Sequence, residues 1–458
     1  MPDLLQPIAR HLIFPLQSWY ERSSAPRYLR EMEKTQYLSP AEIKELQRGR
    51  LRKLLQHAYQ NSPFYRQRFD RCGFNPDDFS GTEDLLKIPV LTKEDIQQHK
   101  EEMKARNFAD SDLIPNKTGG STGRPLFFYL DKERSFSRKA ATFRHNRWAG
   151  WEIGSKTAAI WGHREDIAGL AGLKSRIRNF LLDRRIILDT SSITSAKLAS
   201  FKKELQNFKP DVYIAYANSM YLFARYLSET GSQNHHRPRS IITSAEVLEV
   251  QQRALIEKIF DCRVFDRYGS RETSVIASEC SAHKGLHIGA EAFVLEFIKE
   301  GKPVAPGELG KIIITDLLNL GMPFIRYQIE DVGIPGGEVC PCGRGLPLMK
   351  MAAGRMTDFL VTPDGKLISG ASLTIYLIAN APGVAQAQLV QETVNRIVFR
   401  IVKGENFGDD SLAFFEREIP RFFGPSVKYD IEFVENIPVE SSGKYRFSIS
   451  KVDPAEMF

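Results

Sequence analysis

Asn116-Lys117-Thr118-Gly119-Gly120-Ser121-Thr122-Gly123-Arg124-Pro125, followed by the apolar run Leu126 to Leu130, is the stretch on which the reading of this chain turns. Its glycines let backbone N–H groups turn toward an anion at close range, and Thr118, Ser121 and Thr122 add hydroxyl donors. The segment therefore has the chemistry of a polyphosphate cradle. A Walker loop would end in Gly-Lys-Ser/Thr and open a helix. Here Arg124-Pro125 leads into a β-prone run, so a lysine serving the phosphates comes from elsewhere. On its own the same run also reads as a glycine-rich hairpin turn.

Outward from this loop, helical patterns alternate with short β-branched runs at Thr157 to Trp161, Val212 to Tyr216, Ile241 to Thr243 and Val264 to Tyr268. That alternation predicts an α/β core with substantially parallel sheets. From Phe293 the character changes to strands joined by Pro/Gly turns, at Phe293 to Ile298, Lys311 to Leu317 and Met322 to Tyr327. This predicts a β-rich subdomain over about 290–355. After a turn at Pro363-Asp364-Gly365, strands near Val384 to Val390, Arg396 to Val402 and Lys428 to Val434, with a helix around Ser411 to Phe423, form a small α+β unit. The expected division is a large unit over residues 1–356 and a small one over 357–458. On the other side of the loop, Ser39-Pro40-Ala41-Glu42 is a helix start with a capping box, and Ile43, Leu46, Leu54, Leu55 and Ala58 give the helix one buried face.

At 458 residues the chain can bury a large core. A net charge of +7, from 63 basic and 56 acidic side chains, suits an anionic small molecule and is too diffuse for a nucleic-acid footprint. The densest basic runs, Arg48 to Lys53 and Lys174 to Arg185, read as solvated helix faces, although the second could meet nucleotide phosphates. Five cysteines make no disulfide framework and point to a reducing, cytoplasmic setting. The apolar segment Leu4 to Tyr20 is broken by Pro7, Arg10 and Pro15, so a surface helix packed on the main body is expected rather than a membrane anchor, with peripheral attachment left open.

Tyr268-Gly269-Ser270-Arg271-Glu272 follows a predicted strand, where α/β proteins place ligands. The ring can stack on a base, Gly269 lets backbone approach, and Glu272 can hold a divalent cation that bridges phosphates. Asp331 suits a ribose diol, and Arg355 offers a guanidinium at the expected boundary. Lys444, on the Gly-containing loop Glu440 to Arg446, can reach a developing phosphoryl charge.

The order of these segments resembles the adenylate-forming superfamily of acyl-CoA synthetases, and within it the phenylacetate–CoA ligase-like branch that includes capsule-biosynthesis adenylation proteins. The resemblance covers Thr118 to Pro125, Ser244-Ala245-Glu246, Tyr268 to Glu272, Gly307 to Gly310 through Asp331, Gly354-Arg355 and Ser442-Gly443-Lys444. It implies that Thr118, Gly119, Gly120, Ser121, Thr122 and Gly123 hold ATP phosphates, and that Tyr268, Gly269 and Ser270 form the adenine side of the site. It further implies that Glu272 binds Mg2+, that Asp331 takes the ribose hydroxyls and that Arg355 supports the ribose–phosphate region. Lys444 stabilises attack of a carboxylate on the α-phosphate, so the catalytic set is Lys444, Glu272 and Thr118. Ser244, Ala245 and Glu246 line the acyl and adenine pocket. The small C-terminal domain is expected to rotate about a hinge two residues after the arginine. That position is Thr357 here, with the more usual aspartate one later, at Asp358.

Cys280-x-x-His283-x-x-x-His287 precedes Cys340-Pro341-Cys342. Three cysteines beside two histidines predict a structural Zn2+ site of Cys280, Cys340, Cys342 and one histidine, His287 or alternatively His283. Buried free thiols are the other reading. Cys72 and Cys262 stand apart as packing residues. Trp161, Gly162, His163, Tyr216, Ala217 and Asn218 are candidates to line the acid pocket.

The expected activity is ATP-dependent conversion of an aryl or compact carboxylic acid to its acyl-adenylate, then transfer to the thiol of CoA. Transfer to a carrier-protein thiol or a sugar amine, or a non-catalytic nucleotide-binding relative, are the alternatives. A homodimer stays open, and nucleic-acid or membrane partners are not expected.

Overall fold

The computed structural model describes residues 3–118, 126–161, 172–190, 193–231, 235–337, 339–353, 356–357, 359–370, 373, 377–404, 406–437 and 446–452. Within it the β-branched runs join one mixed sheet, of twelve strands among the described residues. Its parallel half runs Arg263–Ser270, Ser240–Ser244, Val212–Tyr216, Thr157–Trp161, Arg185–Asp189 across the sheet. Every residue of Ser240–Ser244 is buried, as expected of a parallel strand covered on both faces. The helices Ser195–Phe208, Ala217–Glu229 and Val250–Phe260 carry the crossovers, burying Phe201, Phe223, Ile256 and Phe260 with Tyr213 and Val264 in one core. The chain passes from Thr157–Trp161 to the edge strand Arg185–Asp189 and then returns past it to Val212–Tyr216. This places a topological switch point between Trp161 and Tyr216, where crevices form in such sheets.

The strands of the β-rich region continue the same sheet as its antiparallel half, rather than forming a sheet of their own. Phe293–Lys299, Gly310–Asp316 and Tyr327–Pro335 pair in succession, and Leu348–Ala353 connects them through Leu286–Ile288 and Ser274–Glu279 to Arg263–Ser270. The strand expected at Met322 to Tyr327 instead begins at Tyr327. Arg326 has a left-handed backbone (φ 55°), and its buried guanidinium pairs with Glu296 at 2.9 Å and bonds Ile88 O, so the chain is extended only beyond it. The capping box forms as read: Ser39 Oγ accepts from Glu42 N at 3.3 Å, and Ser39 N donates to Glu42 Oε2 at 2.8 Å. The resulting helix, Pro40–Asn61, buries Leu51, Leu54, Leu55 and Ala58 against the antiparallel half.

Met356–Thr357, Arg446–Ser450, Val384–Thr393, Arg396–Lys403 and Lys428–Phe433 make a second, five-stranded sheet among the described residues. Helix Asp409–Phe423 lays Phe415, Ile419 and Phe423 on it against Leu389 and Phe399. The chain is thus α/β with a small α+β C-terminal unit. At the other end, Leu5–Ile8, Ala9–Ile13 and Phe14–Tyr20 form one continuous helical run whose middle part is a π turn, packed through Ala9 and Phe14 onto Leu29, Ala140 and Ile153. Gly154 permits this contact: its φ is +82°, and a Cβ there would lie 2.6 Å from Ala9 Cβ. Among the described residues no helix is long and apolar enough to cross a membrane.

Candidate functional site

Strand Arg263–Ser270 turns back tightly into Ser274–Glu279, and this hairpin carries the Tyr268 to Glu272 segment. Gly269 is required there for a local reason, because a Cβ would lie 2.4 Å from Ser274 O. Two hydrogen bonds tie the hairpin to strand Tyr327–Pro335. Tyr268 Oη donates to Asp331 Oδ2 at 2.8 Å, and Tyr327 Oη donates to Glu272 Oε1 at 2.9 Å. Residues some sixty positions apart, read from the sequence as base, ribose and metal contacts, thus share one site. Glu272 is 6% exposed, so the Tyr327 phenol holds a carboxylate largely withdrawn from water, while Asp331 is half-buried.

Arginines from helix Lys132–Trp148 brace the same turn. The buried Arg134 pairs with Asp316 at 2.7 Å and donates to Thr273 O at 3.0 Å, while Arg138 donates to Arg271 O at 2.8 Å. Burial, with Arg134 beside it, pushes the Arg138 guanidinium down to about 10. Neither arginine nor Tyr327 was singled out in the sequence. Tyr327 closes the run Met322 to Tyr327 read as a strand, so its place was legible; the arginines carried no signal beyond helical spacing.

Thr118 closes the base of the hairpin formed by Leu113–Lys117 and Phe127–Asp131: its N–H donates to Leu126 O at 3.0 Å, and its Oγ1 accepts from Leu126 N at 2.9 Å. Gly119, Gly120, Ser121, Thr122 and Gly123 lie outside the described residues, as do Gly162, His163, Arg355, Asp358 and Lys444.

At the end of strand Ser240–Ser244, Ala245 takes a left-handed backbone (φ 70°), and Glu246 Oε2 accepts from Asn218 N at 2.8 Å. This brings the Ser244 to Glu246 segment against the start of helix Ala217–Glu229, next to the switch point where the Trp161 and Tyr216 rings lie 4.2 Å apart. A cavity of about 360 Å³ lies beside it, lined by Phe143, Asn146, Trp151, Trp161, Ile214 and Arg267 among others. Arg267 Nη1 donates to Asn146 Oδ1 at 2.8 Å, and its Nε reaches Ser244 Oγ at 3.4 Å. No carboxylate pairs with Arg267 among the described residues, and burial pushes its guanidinium down to about 10. Side chains alternate along a strand, so the neighbour of Tyr268 was bound to face the other side. That signal was available in the sequence and went unread.

Cys280, His287, Cys340 and Cys342 converge, with all four ligand atoms within 4.8 Å of one another. Cys280 Sγ and Cys340 Sγ are 3.7 Å apart. Two thiolates about 2.3 Å from a tetrahedral ion would stand about 3.8 Å apart. Cys342 Sγ lies 3.3 Å from His287 Nε2, and His287 Nδ1 faces Leu346 O at 3.1 Å, an arrangement that directs the Nε2 lone pair into the cluster. Burial lowers His287 to about 4, keeping the imidazole neutral. Burial also raises Cys280 to about 12, so a thiolate there needs a cation beside it. His283 stands apart, 3.3 Å from Glu279 and packed on Phe265, so the geometry selects His287 as the fourth member.

Comparison with known proteins gives likenesses of sequence and of fold. A family described as the CapK C-terminal domain matches residues 360–451. Protein CapK of Staphylococcus aureus is 24% identical over 89% of this chain and 89% of its own length. The phenylacetate-coenzyme A ligase of Pseudomonas putida is 27% identical over 70% of this chain and 72% of its own. Among solved structures, 2-hydroxyisobutyryl-CoA ligase in complex with its acyl-adenylate and CoA has the same fold. It gives a TM-score of 0.62 at 18% identity, over 92% of each chain.

Proposed function

The chain belongs to the adenylate-forming superfamily, in its phenylacetate–CoA ligase-like branch, and from that premise we propose that it activates a carboxylic acid with ATP and passes the acyl group to the thiol of CoA. The observation that carries this reading is the pair of hydrogen bonds Tyr268–Asp331 and Tyr327–Glu272. They support it by tying the hairpin that carries Tyr268 and Glu272 to the strand that carries Asp331.

In the first step a carboxylate oxygen of the acid attacks the α-phosphorus of ATP and pyrophosphate leaves. In the second a thiolate attacks the acyl carbon and AMP leaves. A carboxylate is otherwise a poor acyl donor, because its own oxygen is a bad leaving group. In this reading Thr118, Gly119, Gly120, Ser121, Thr122 and Gly123 hold the phosphates, and Tyr268, Gly269 and Ser270 flank adenine. Asp331 accepts from the ribose hydroxyls and Arg355 supports the ribose–phosphate region. Glu272 would hold Mg2+, which offsets charge between the phosphates. Lys444 stabilises charge at phosphorus in the first step only, which accords with a C-terminal unit over 357–458 that turns about Thr357 relative to 1–356.

Ser244, Ala245 and Glu246 border the acid, whose body occupies the cavity beside them. The aromatic walls at Phe143, Trp151 and Trp161 favour an aryl or compact acyl group, and Arg267 with Asn146 favours one bearing a polar or anionic substituent. Cys280, His287, Cys340 and Cys342 hold a structural Zn2+ in the same reading, supported by the sulfur spacing. Free thiols and the use of ATP and CoA fit a cytoplasmic enzyme.

Two observations favour a second acceptor: the similarity to CapK over 89% of both chains and the match of residues 360–451 to the CapK C-terminal domain. A carrier-protein thiol or a sugar amine would then replace CoA. The deciding experiment is a panel of carboxylic acids assayed for magnesium-dependent pyrophosphate release with and without CoA. CoA consumed in step with AMP supports the ligase, AMP without CoA consumption supports the second acceptor, and folded, ATP-binding protein that yields no AMP on a broad panel refutes adenylation.

A further inference from the structure

Two stretches reach the proposed acid cavity only through Phe14, Arg178, Leu182, Asp183 and Arg185, and their outer faces have no part in the proposed chemistry: the apolar segment Leu4 to Tyr20 and the basic run from Lys174 to Arg185. The structure brings them side by side. The helical run through Tyr20 meets the run formed by Leu173–Arg178 and Asn179–Asp183, with Phe14 and Leu182 in one small core.

The inner face of the N-terminal run is buried at Ala9, Phe14 and Ser18. Its outer face carries a bare apolar row, flanked by exposed Arg10, which pairs with Glu152, and His11. Leu4, Ile8, Leu12 and Leu16 repeat every four residues, and Trp19 and Tyr20 close the row at 79% and 76% exposure. In an uninterrupted α-helix a four-residue repeat drifts around the axis. The π turn at Ala9–Ile13 uses more residues per turn and brings the row back into line. From the second run Leu173, Ile177 and Phe180, at helical spacing, are 76%, 50% and 70% exposed. These nine are more than half of the seventeen exposed large apolar side chains among the described residues, so the patch is a feature and not scatter.

Charge decides what covers it. The acids of the two stretches are already matched, Asp3 to Arg184 at 2.7 Å, Asp183 to Arg178 at 3.0 Å and Glu21 to Lys139 at 3.9 Å. Lys174, Arg176 and Arg22 are exposed and make no ion pair among the described residues. The rim is therefore net cationic. A second copy of this chain, meeting the face about a two-fold axis, would set those cations against themselves. Anionic lipid headgroups would neutralise them while the leucines, Trp19 and Phe180 enter the acyl boundary, the arrangement of a helix lying in a membrane interface.

We infer that this face docks the protein peripherally on an anionic membrane surface, with the two helical runs lying in the interface. This takes the peripheral attachment that the sequence left open over packing on the body alone, and it is independent of which acid or acceptor the active site uses.

The test is flotation of the full chain with phosphatidylcholine vesicles and with vesicles in which part of the lipid is phosphatidylglycerol. The expected result is binding to the anionic vesicles that weakens with salt. Leu12→Glu should lower it on the order of tenfold or more. The double change Lys174→Ala, Arg176→Ala should lower it about thirtyfold. All these side chains are exposed, so melting temperature and pyrophosphate release should stay at the wild-type level, which separates lost docking from lost folding. Absence of binding to either vesicle overturns the inference. So does equal binding to both that the Lys174/Arg176 variant retains. A wild-type dimer that Leu12→Glu makes monomeric, without vesicle binding, also overturns it and assigns the face to a second copy.

Discussion

Replacing Cys340 by serine should remove the proposed zinc and, with it, a measurable part of the stability of the large sheet. Cys280 and Cys340 are sixty residues apart in the chain, and their sulfurs are 3.7 Å apart in the fold. A metal that bridges them closes that loop in every state in which it stays bound. The loop-closure relation for a cross-link of this length gives about 4 kcal/mol. Spread over the unfolding entropy of a cooperative unit of several hundred residues, this corresponds to a melting temperature lower by on the order of 5 °C. The assay is differential scanning fluorimetry beside elemental analysis of the same preparations. Wild type should carry about one zinc per chain and lose the same few degrees on treatment with a strong chelator. Cys340→Ser should carry little metal and should not respond to the chelator. Metal-free wild-type protein, or a variant with the wild-type melting temperature, would refute the reasoning. A chelator shift equal in both proteins would also refute it, since the cluster would not then be its cause.

Lys444→Ala should lower pyrophosphate release from acid plus ATP by on the order of a hundredfold or more, yet still convert a supplied acyl-adenylate to product; equal loss of both steps would sink its assignment to the first alone. Glu272→Gln keeps an acceptor for Tyr327 Oη and should leave the melting temperature near wild type, while raising the magnesium needed for half-maximal AMP formation on the order of a hundredfold. An unchanged magnesium requirement would remove Glu272 from the metal site. Burial, with Glu279 nearby, raises Asp266 from 3.8 to about 6. A carboxyl so raised contributes stability that is complete at low pH and lost as pH climbs through about 6, here roughly 3 kcal/mol. Asp266→Asn should therefore flatten the fall in stability between about pH 4 and 6, read as urea midpoints against pH; parallel curves for the two proteins would show that Asp266 titrates normally.

The strand-end hairpin around Tyr268 was legible because a strand running into a glycine turn is a local signal. Periodicity likewise located the parallel strands, the capped helix Pro40–Asn61 and the α+β unit at the C-terminal end, since each element's own residues decide which face is buried.

What depends on distant partners was not legible. Composition showed strands after Phe293, but only pairing through Leu286–Ile288 and Leu348–Ala353 decides that they extend the first sheet. Spacing left two histidines open. Three-dimensional packing chose His287, because Leu346 O orients its ring toward Cys342 whereas Glu279 holds His283 away. The apolar row from Leu4 to Tyr20 had read as a helix to be covered, and the fold covers only its Ala9 and Phe14 side. A sequence specifies which face of a segment avoids water; which neighbours arrive to shield it is settled by the sum of all the other segments, and that sum exists only in the folded chain.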